Sequence, residues 1–304
     1  MDIVKLKPVI KDNLWGGNYF KQYKGNNNDD VIAECWELSM LPNNESFIDS
    51  GINKGKRLNE IIKDEDIGPV KNDFPYFPLL IKLIDAKDNL SIQVHPSDEY
   101  ALKNENSFGK TEMWHILSSD PGCGIYVGFK NDENILDVKK SLDDGSILNK
   151  LNFFEVNKGD TFLINAGTIH AIGKGVRLIE IQQNSNLTYR LYDYHRVDKN
   201  GLERELHIDK ALKVIDLHKY QKENNHSSLL AKSKYFTVHK YDVNEKNEIT
   251  PNDYSFICIT FIDGEGLIND IPYKKYDTFF IPYNKKCSIK GNGTYIESTI
   301  EKII

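Results

Sequence analysis

The feature that most constrains the fold is a series of short β-prone segments, separated by turn residues, that recur along the chain. They are FPLLIKLI, LSIQVHP, TEMWHIL, GIYVGF, DTFLI, VRLIEIQQ, LTYRLYDY, YFTVHKYDV, YSFICITFI, DTFFIPY and KCSIKG. Many short strands at spacings of about ten residues are typical of a sandwich, barrel or jelly roll. An aromatic fraction of 11% also favours strands. We therefore predict a mainly β protein.

Three other segments show helical spacing. RLNEIIKD, ENILDVKKSLDDGSILNKL and IDKALKVIDL place apolar residues three and four positions apart. The clearest set is Ile208, Leu212 and Ile215. Asp209 is the predicted N-cap of that helix. The polar segment 219–233 follows it and is predicted to be a linker and a domain boundary.

Composition limits the classes of partner. At 304 residues the chain is long enough for one large domain or two modest ones. Its net charge of −6 argues against a nucleic-acid or anionic-membrane surface, because both require a basic face. An anionic substrate would therefore need a locally basic pocket.

Cysteine usage and the apolar runs bear on the compartment. The four cysteines are scattered without a C-x-x-C pair, which favours neither a disulfide framework nor a thiolate zinc site and fits a reducing environment. The start MDIVKLKPVI does not resemble a signal peptide, and YFPLLIKLI is far shorter than the roughly 20 residues of a membrane helix. We predict a cytoplasmic protein with no membrane or nucleic-acid partner.

Two segments of the chain resemble each other. Residues 158–172, KGDTFLINAGTIHAI, align without gaps on residues 275–289, KYDTFFIPYNKKCSI, at a constant offset of 117 with six identities in fifteen positions. The match indicates a repeated β module, although shared strand composition explains part of it. His170 aligns with Cys287, and no H-x-E or Q-x-H pattern precedes the second copy. If the copies are homologous, the first keeps a polar site and the second is a structural partner.

The first copy is accompanied by candidate metal ligands. Gln93 and His95 lie two apart in a β-prone run, so their side chains are expected on one face of a strand. Glu112 lies in TEMWHIL, and His170 follows the turn residues NAG. Two imidazoles, a carboxylate and an amide oxygen suit a divalent first-row metal such as Zn²⁺. A jelly roll can bring such distant strands around one lumen.

Other interpretations of the histidines stay open. A single histidine in a strand is commonly a hydrogen-bonded core or surface residue. His115, three residues after Glu112, is expected on the opposite strand face, where packing or the orientation of a ligand is a better interpretation than ligation. Four further histidines are expected to be solvated: His207, His218, His226 and His239.

The order of these motifs carries a family resemblance. Gln-x-His, then Glu, then G-D-(x)6-G-x-x-H resembles the two motifs of the cupin superfamily, with Gly159, Asp160, Gly167 and His170 in the expected places. Asn165 stands where cupins usually have Pro, which loosens the expected turn but keeps the ligand. Longer segments resemble type I mannose-6-phosphate isomerases of the short bacterial form, in the family's order: KPVIKDNLWGG, LLIKLIDAKDNLSIQVHPSDEYA, GKTEMWHIL, GTIHAIGKGVRLIEIQQNSNLTYRLYDYHR and RELHIDKAL.

These segments span about two thirds of the chain, and the C-terminal third matches less distinctly. The resemblance implies two tandem cupin-like jelly-roll barrels with a small helical element. Together with the linker, it implies a catalytic cupin domain at residues 1–230 and a degenerate cupin-like β domain at residues 231–304. The implied activity is interconversion of mannose 6-phosphate and fructose 6-phosphate, so the partner is a small sugar phosphate.

The resemblance also implies a set of site residues. It implies one Zn²⁺ per chain and an essential arginine at Arg190, in TYRLYDY. The implied zinc ligands are Gln93, His95, Glu112 and His170. Aldose–ketose isomerisation moves a proton between C1 and C2 through an enediol, and a metal and an arginine can stabilise the charge that grows on the sugar oxygens. Arg190 would then stabilise either the enediolate or the phosphate, unless it only forms a salt bridge with a neighbour such as Asp193.

Three further residues are candidates for substrate binding. Lys110 shares strand parity with Glu112 and could receive the phosphate, or be a solvated loop lysine. Ser91 shares parity with Gln93, so its hydroxyl could reach the substrate, or cap a turn. Glu180, in VRLIEIQQ, could meet the substrate as a general base or orient a ligating histidine instead.

Competing functions come from other classes. One is a catalytically inactive sugar-phosphate sensor that keeps the fold for binding. Another is a different cupin enzyme, such as an epimerase or a dioxygenase, although a glutamine in the site suits iron oxygen chemistry poorly. Because all four candidate ligands and Arg190 occur together, the sequence favours the isomerase.

Overall fold

Strands dominate the computed structural model, which describes residues 1–25, 31–198, 200–222 and 228–302. In chain order the strands are β1 Val4–Lys7, β2 Val9–Lys11, β3 Glu34–Leu38, β4 Phe47–Ile48, β5 Leu79–Ala86, β6 Ile92–Val94, β7 Glu112–Ser119, β8 Gly124–Phe129, β9 Leu151–Glu155, β10 Thr161–Ile164, β11 His170–Ile172, β12 Val176–Gln183, β13 Tyr189–Tyr192, β14 Leu229–Lys232, β15 Thr237–Ile249, β16 Ile257–Ile268, β17 Ile271–Lys274, β18 Thr278–Ile281 and β19 Cys287–Thr299. Every β-prone segment of the sequence contains one of these strands, which confirms the prediction of a mainly β protein.

The helices are short and lie between strands. The α-helices are α1 Lys21–Lys24, α2 Asp64–Ile67, α3 Asp98–Asn104, α4 Ile135–Asp143, α5 Ile147–Lys150 and α6 Ile208–Ala211, and 3₁₀ turns occur at Leu58–Glu60 and Pro69–Asn72. In α4 the predicted helical spacing is confirmed, and Asn134 caps it by accepting a hydrogen bond from the backbone N–H of Asp137. No helix within the described ranges has the length and apolar character needed to cross a membrane.

Two predictions about the region after β13 need correction. The N-cap of α6 is His207, not Asp209, and no side-chain hydrogen bond caps this helix. The helix ends after one turn because the chain tightens, with Val214 N–H bonded to the carbonyl three residues back. In the predicted linker 219–233, residues 223–227 lie outside the described residues, whereas Leu229–Lys232 forms β14 because its middle residues are buried.

Two antiparallel sheets face each other in the first two thirds of the chain. One has the strand order β10-β7-β12-β5-β3-β2 and the other β13-β6-β11-β8-β9. Their facing sides share one apolar cluster, to which β7 contributes Trp114 and Ile116, β12 contributes Leu178, and β8 contributes Ile125. The two sheets therefore enclose a lumen. The helices α4, α5 and α6 pack on the outer side of the five-stranded sheet, around Phe129.

A third sheet covers the outer side of the six-stranded sheet. Its order is β14-β15-β19-β16-β18-β1-β4, with β17 paired to β16. The interface is a large apolar core that joins Met113 and Ile181 of the six-stranded sheet to Val238 and Phe280 of the third sheet. The other side of the third sheet encloses its own core around Phe261 and Ile289. This arrangement confirms two cupin-like β barrels.

The two aligned copies share backbone conformation as well as sequence. Strand β10 maps onto β18 and the start of β11 maps onto the start of β19, all at the offset of 117 residues. Gly159 and Gly167 have positive φ angles of 100° and 90°, and the aligned Tyr276 and Asn284 also have positive φ angles, of 69° and 61°. Non-glycine residues seldom adopt this conformation. The second copy keeps this conformation although Tyr276 and Asn284 stand in place of the two glycines, as expected of a repeated module.

Candidate active site

One wall of the lumen carries a row of polar residues across the five-stranded sheet. Arg190 on β13 lies directly opposite Gln93 on β6, and Gln93 lies directly opposite His170 on β11. Residues that face each other across antiparallel strands project on the same side, a few ångströms apart. The register of three strands therefore gathers an arginine, an amide and an imidazole that are distant in the sequence.

The opposing wall carries a second row, across the six-stranded sheet. Trp36 on β3 pairs with Lys82 on β5, Lys82 pairs with Glu180 on β12, and Glu180 pairs with Trp114 on β7. The Lys82 ammonium lies 3.0 Å from Oε1 of Glu180, and the Trp114 indole donates to Oε2 of Glu180 at 3.0 Å. Glu112 lies two residues before Trp114 and therefore projects on the same face.

Three of the candidate ligands converge between the two rows. One ligand atom each from His95, Glu112 and His170 lies within 4.8 Å of the others, and all three residues are buried. Nε2 of His170 lies 3.3 Å from Oε1 of Glu112, and Nε2 of His95 lies 3.6 Å from Oε2. The amide Nε2 of Gln93 lies 3.4 Å from Nε2 of His170. The amide oxygen of Gln93 is bonded to the same carbon as this nitrogen, so a rotation of the amide group turns the oxygen towards the cluster.

The two imidazoles are oriented by the backbone. Nδ1 of His95 lies 2.9 Å from the carbonyl oxygen of Leu187, and Nδ1 of His170 lies 2.8 Å from that of Thr168. A carbonyl can only accept, so each Nδ1 carries the proton and each Nε2 presents its lone pair to the cluster. The turn before His170 depends on Gly167, whose positive φ of 90° and N–H bond to the His95 carbonyl fix its path.

Burial controls the charge of the cluster. It lowers the pKa of His170 to about 4 and the pKa of His95 well below its usual value, so both rings are neutral. Burial, together with repulsion from Glu180, raises the pKa of Glu112 to about 7. Oε1 of Glu112 is buried without a hydrogen-bond partner among the described residues. Two neutral imidazoles and a carboxylate with an unpaired oxygen fit a divalent cation, which would also compensate the buried negative charge.

A cavity of about 430 Å³ lies beside the cluster, and its wall includes Gln93 and Lys110, which contact His170 and Glu112. The cavity is lined by Lys11, Asp12, Asn13, Trp15, Glu34, Trp36, Asn44, Lys82, Ile84, Leu90, Ser91, Gln93, Lys110, Glu180, Asn186, Thr188, Arg190 and Arg204. Five of these residues are basic and three are acidic, although the chain as a whole is acidic. The cavity is therefore locally basic, as an anionic ligand requires.

The structure places all the sequence-predicted site residues at or beside this cavity. Ser91, Gln93, Lys110, Glu180 and Arg190 line it. Three interpretations that the sequence left open are wrong: that Lys110 is solvated, that Glu180 orients a ligating histidine, and that Arg190 only forms a salt bridge with Asp193.

Lys110 is a buried residue, not a solvated one, because its ammonium contacts Glu112 and lies 3.1 Å from Nε2 of His95. Glu180 contacts Lys82 and Trp114 and hydrogen-bonds to neither histidine of the cluster. Arg190 donates to the carbonyl oxygen of Glu205 at 2.7 Å and forms no salt bridge with Asp193 within the described chain.

The histidines outside the cluster have varied surroundings. His115 is buried on the opposite face of β7, with Nδ1 2.8 Å from the Thr161 hydroxyl, so it packs and does not contact the cluster. His218 is exposed, as predicted. His207 and His239 are half-buried, contrary to the prediction, because His207 bonds the Arg190 backbone and His239 stacks on Tyr241. His226 lies outside the described residues.

Sequence reasoning missed most of the cavity wall, including Lys82, Arg204 and Trp36. Lys82 is the one charged residue of the run LLIKLI, and a lysine in a buried strand is itself a signal of a polar partner. Arg204 opens RELHIDKAL, a segment that carried the family resemblance. Trp36 gave no signal in the sequence, because only the strand register places it beside Lys82. The Lys82 ammonium lies 5.2 Å from the centre of the Trp36 ring.

Comparisons with known proteins agree with this geometry. The family model for the catalytic domain of type I phosphomannose isomerase matches residues 3–112, and the model for the cupin domain of mannose-6-phosphate isomerase matches residues 226–300. Mannose-6-phosphate isomerase ManA of Bacillus subtilis is 35% identical over 91% of this chain and 92% of its own length. The mannose-6-phosphate isomerase of Streptococcus mutans is 33% identical over 86% of this chain and 85% of its own length.

A solved structure shows the same architecture. The crystal structure of the mannose 6-phosphate isomerase from Bacillus subtilis superposes with a TM-score of 0.87 at 33% identity, and covers 98% of this chain and 99% of the crystallised chain. Identity above 30% over nearly the whole length of several relatives, together with two matching family models, establishes membership. The chain belongs to the type I phosphomannose isomerase family.

Proposed function

We propose that the protein interconverts mannose 6-phosphate and fructose 6-phosphate as a metal-dependent aldose–ketose isomerase. The observation that carries the proposal is the convergence of His95, Glu112 and His170 within 4.8 Å, beside a basic cavity. The relatives at 33–36% identity that are named mannose-6-phosphate isomerases supply the substrate. We place the enzyme in the cytoplasm and keep residues 1–230 as its catalytic unit and residues 231–304 as its degenerate cupin-like unit.

The metal we propose is one Zn²⁺ per chain. His95, His170 and Glu112 would supply two nitrogens and a carboxylate oxygen, and Gln93 would supply its amide oxygen. When bound, the ion would polarise the sugar oxygens as a Lewis acid and lower the free energy of the enediolate. The hydrogen bonds from Nδ1 of the two histidines to backbone carbonyls hold the ligand nitrogens in place, as in other histidine metal sites.

Arg190 is the proposed catalytic residue. Arg190 lies opposite Gln93 in the strand register and lines the cavity, and its Nε is buried with no hydrogen-bond partner in the described part of the chain. A buried donor without a partner is unfavourable unless a ligand accepts its hydrogen bond. We propose that the sugar oxygens that gain charge during proton transfer accept this bond.

Glu180 and Lys110 are proposed to bind the sugar. Burial opposes ionisation of Glu180, but Lys110 and Lys82 outweigh it and lower the pKa of this carboxyl to about 2. An acid this strong is a poor general base at neutral pH, so we assign Glu180 to accepting hydrogen bonds from sugar hydroxyls. Lys110 would hold a sugar oxygen beside the cluster, and the buried hydroxyl of Ser91 would complete the cavity wall.

The experiment is isomerisation of mannose 6-phosphate in D₂O, followed by NMR. Formation of fructose 6-phosphate with deuterium incorporated from solvent would support proton transfer through an enediol. Glucose 6-phosphate, the C2 epimer, serves as the comparison substrate. Binding of mannose 6-phosphate without turnover would instead indicate a sensor, and conversion to glucose 6-phosphate alone would indicate an epimerase.

A further inference from the structure

Asp193, directly after β13, holds two arginines at once. Its Oδ2 accepts from Nε of Arg204 at 2.7 Å, and its Oδ1 accepts from Nη2 of Arg204 at 2.6 Å. Oδ1 also accepts from Nη2 of Arg196 at 2.5 Å. Asp193 is 5% exposed, so these pairs are shielded from water. A bidentate carboxylate–guanidinium pair fixes both the position and the plane of the guanidinium.

The held guanidinium belongs to the cavity wall. Arg204 and Arg190 both line the cavity, and Arg190 donates to the backbone of Glu205, the residue after Arg204. Asp193 engages Nε and Nη2 of Arg204, while Nη1 on the far edge has no hydrogen-bond acceptor among the described residues. One edge of the guanidinium is therefore occupied, and the other edge is available to a ligand.

The local charge favours an anion. Three arginines, at 190, 196 and 204, lie around the buried carboxylate of Asp193, and the other nearby carboxylates, of Asp88 and Glu205, are exposed to solvent, so positive charge is in excess around Asp193. Arg196 also donates to the carbonyl oxygen of Asn89, which ties the loop to the start of the Ser91 segment. A dianionic phosphate would compensate this excess and meet the free edge of Arg204.

The loop reaches this geometry through an uncommon backbone turn. Tyr194 and His195, the two residues after Asp193, have positive φ angles of 57° and 53°. Such angles are disfavoured for non-glycine residues and persist where surrounding contacts impose them. The turn reverses the chain immediately after Asp193, so that Arg196 returns to its carboxylate.

We propose that Asp193 is a positioning residue that holds the Arg204 guanidinium on the cavity wall as the receptor for the substrate's phosphate group. The proposal rests on the proposed function, since it takes the ligand to be a sugar phosphate. Asp193 touches no substrate and acts through Arg204. It determines how tightly phosphorylated ligands bind and contributes little to the chemical step.

The test is calorimetric titration of the metal-loaded protein with inorganic phosphate, together with steady-state kinetics on mannose 6-phosphate. We expect Asp193→Asn and Arg204→Lys each to weaken phosphate binding roughly 10-fold and to raise KM by a similar factor, with kcat changed less than about 3-fold. The double variant should bind phosphate about as weakly as Arg204→Lys alone, because both changes remove one interaction. Asp88→Asn is the matched control, because Asp88 is an exposed carboxylate 3.7 Å from Arg196 that does not contact Arg204.

Several outcomes would overturn the proposal. A phosphate Kd for folded Asp193→Asn within twofold of wild type would do so, as would strictly additive losses in the double variant. If Asp193→Asn fails to fold, Arg204→Lys decides the matter, because it keeps the charge but loses the bidentate geometry; unchanged phosphate binding there overturns the proposal. Wild-type protein that binds phosphate through Arg204 but does not isomerise mannose 6-phosphate would support the Asp193 role and contradict the proposed function alone.

Discussion

Gln93 and His170 lie directly opposite each other on two antiparallel strands, although 77 residues separate them in the sequence. The same register places Arg190 on the other side of Gln93. A slip of one residue in either strand would turn these side chains to the opposite face of the sheet. The proposed metal site therefore depends on strand register as much as on the identity of its residues.

Replacing His170 with Ala should remove the metal and the activity while leaving a folded protein. We expect kcat to fall on the order of 10³-fold, because a metal contributes several kcal/mol of transition-state stabilisation. Metal analysis by mass spectrometry and a coupled isomerase assay are the measurements. His115→Ala is the control, since His115 is also a buried histidine but lies outside the cluster. Full metal content in His170→Ala would count against the site.

Replacing Lys82 with Met should destabilise the fold. Lys82 is buried 3.0 Å from Glu180 and 3.8 Å from Glu34, so its removal leaves the buried carboxylate of Glu180 without its nearest ammonium group. We expect a loss of about 3 kcal/mol in the free energy of unfolding, measured with urea. The double variant Lys82→Met with Glu180→Gln should recover at least about 1 kcal/mol, because it removes the unpaired charge. Simple additivity of the two losses would contradict the ion-pair explanation.

Replacing Glu297 with Gln should stabilise the protein at high pH only. Glu297 lies on β19 opposite His239 and Ile259, and burial raises the pKa of its carboxyl from 4.5 to about 7. Because the folded state binds the proton more tightly, the wild type loses stability as pH rises from about 4.5 to about 7.

The gain of Glu297→Gln over wild type should thus be near zero at pH 4 and approach about 3 kcal/mol at pH 8. Thermal unfolding at both pH values measures this gain. Glu265→Gln on an exposed part of β16 changes the net charge equally and should show no such dependence. Equal gains at both pH values for Glu297→Gln would refute the explanation.

Replacing Cys287 with Ser should leave metal content and kcat unchanged. Cys287 aligns with His170 in the repeat, but it lies at the start of β19 in the apolar core of the second barrel. We expect only a stability loss of about 1 to 2 kcal/mol from burying a hydroxyl group. A marked loss of zinc in this variant would show that the second copy contributes to metal binding.

Much of the fold followed from local patterns in the sequence. Short β-prone segments between turn residues predicted the strands, and parity placed Gln93 with His95 and turned His115 away from Glu112, as the structure has them. The helix predicted around Asp209 was too long because its apolar spacing also fits a tighter turn. Residue spacing alone could not distinguish these two conformations.

The missing part of the site is non-local. The row from Trp36 through Lys82 to Glu180 exists only because three strands pair in one register. Likewise, the sequence offered Asp193 as a partner for Arg190, whereas the backbone turn at Tyr194 directs its carboxylate to Arg204. Such contacts depend on loop geometry and on pairing between distant strands, which local propensity does not encode.

The most direct test of the metal-dependent isomerase is turnover of mannose 6-phosphate by one preparation before chelation, after exhaustive chelation and after adding back one equivalent of Zn²⁺. We predict loss of activity on chelation, recovery with zinc, and about one ion per chain at full activity. Undiminished turnover by protein shown to be metal-free would contradict the account.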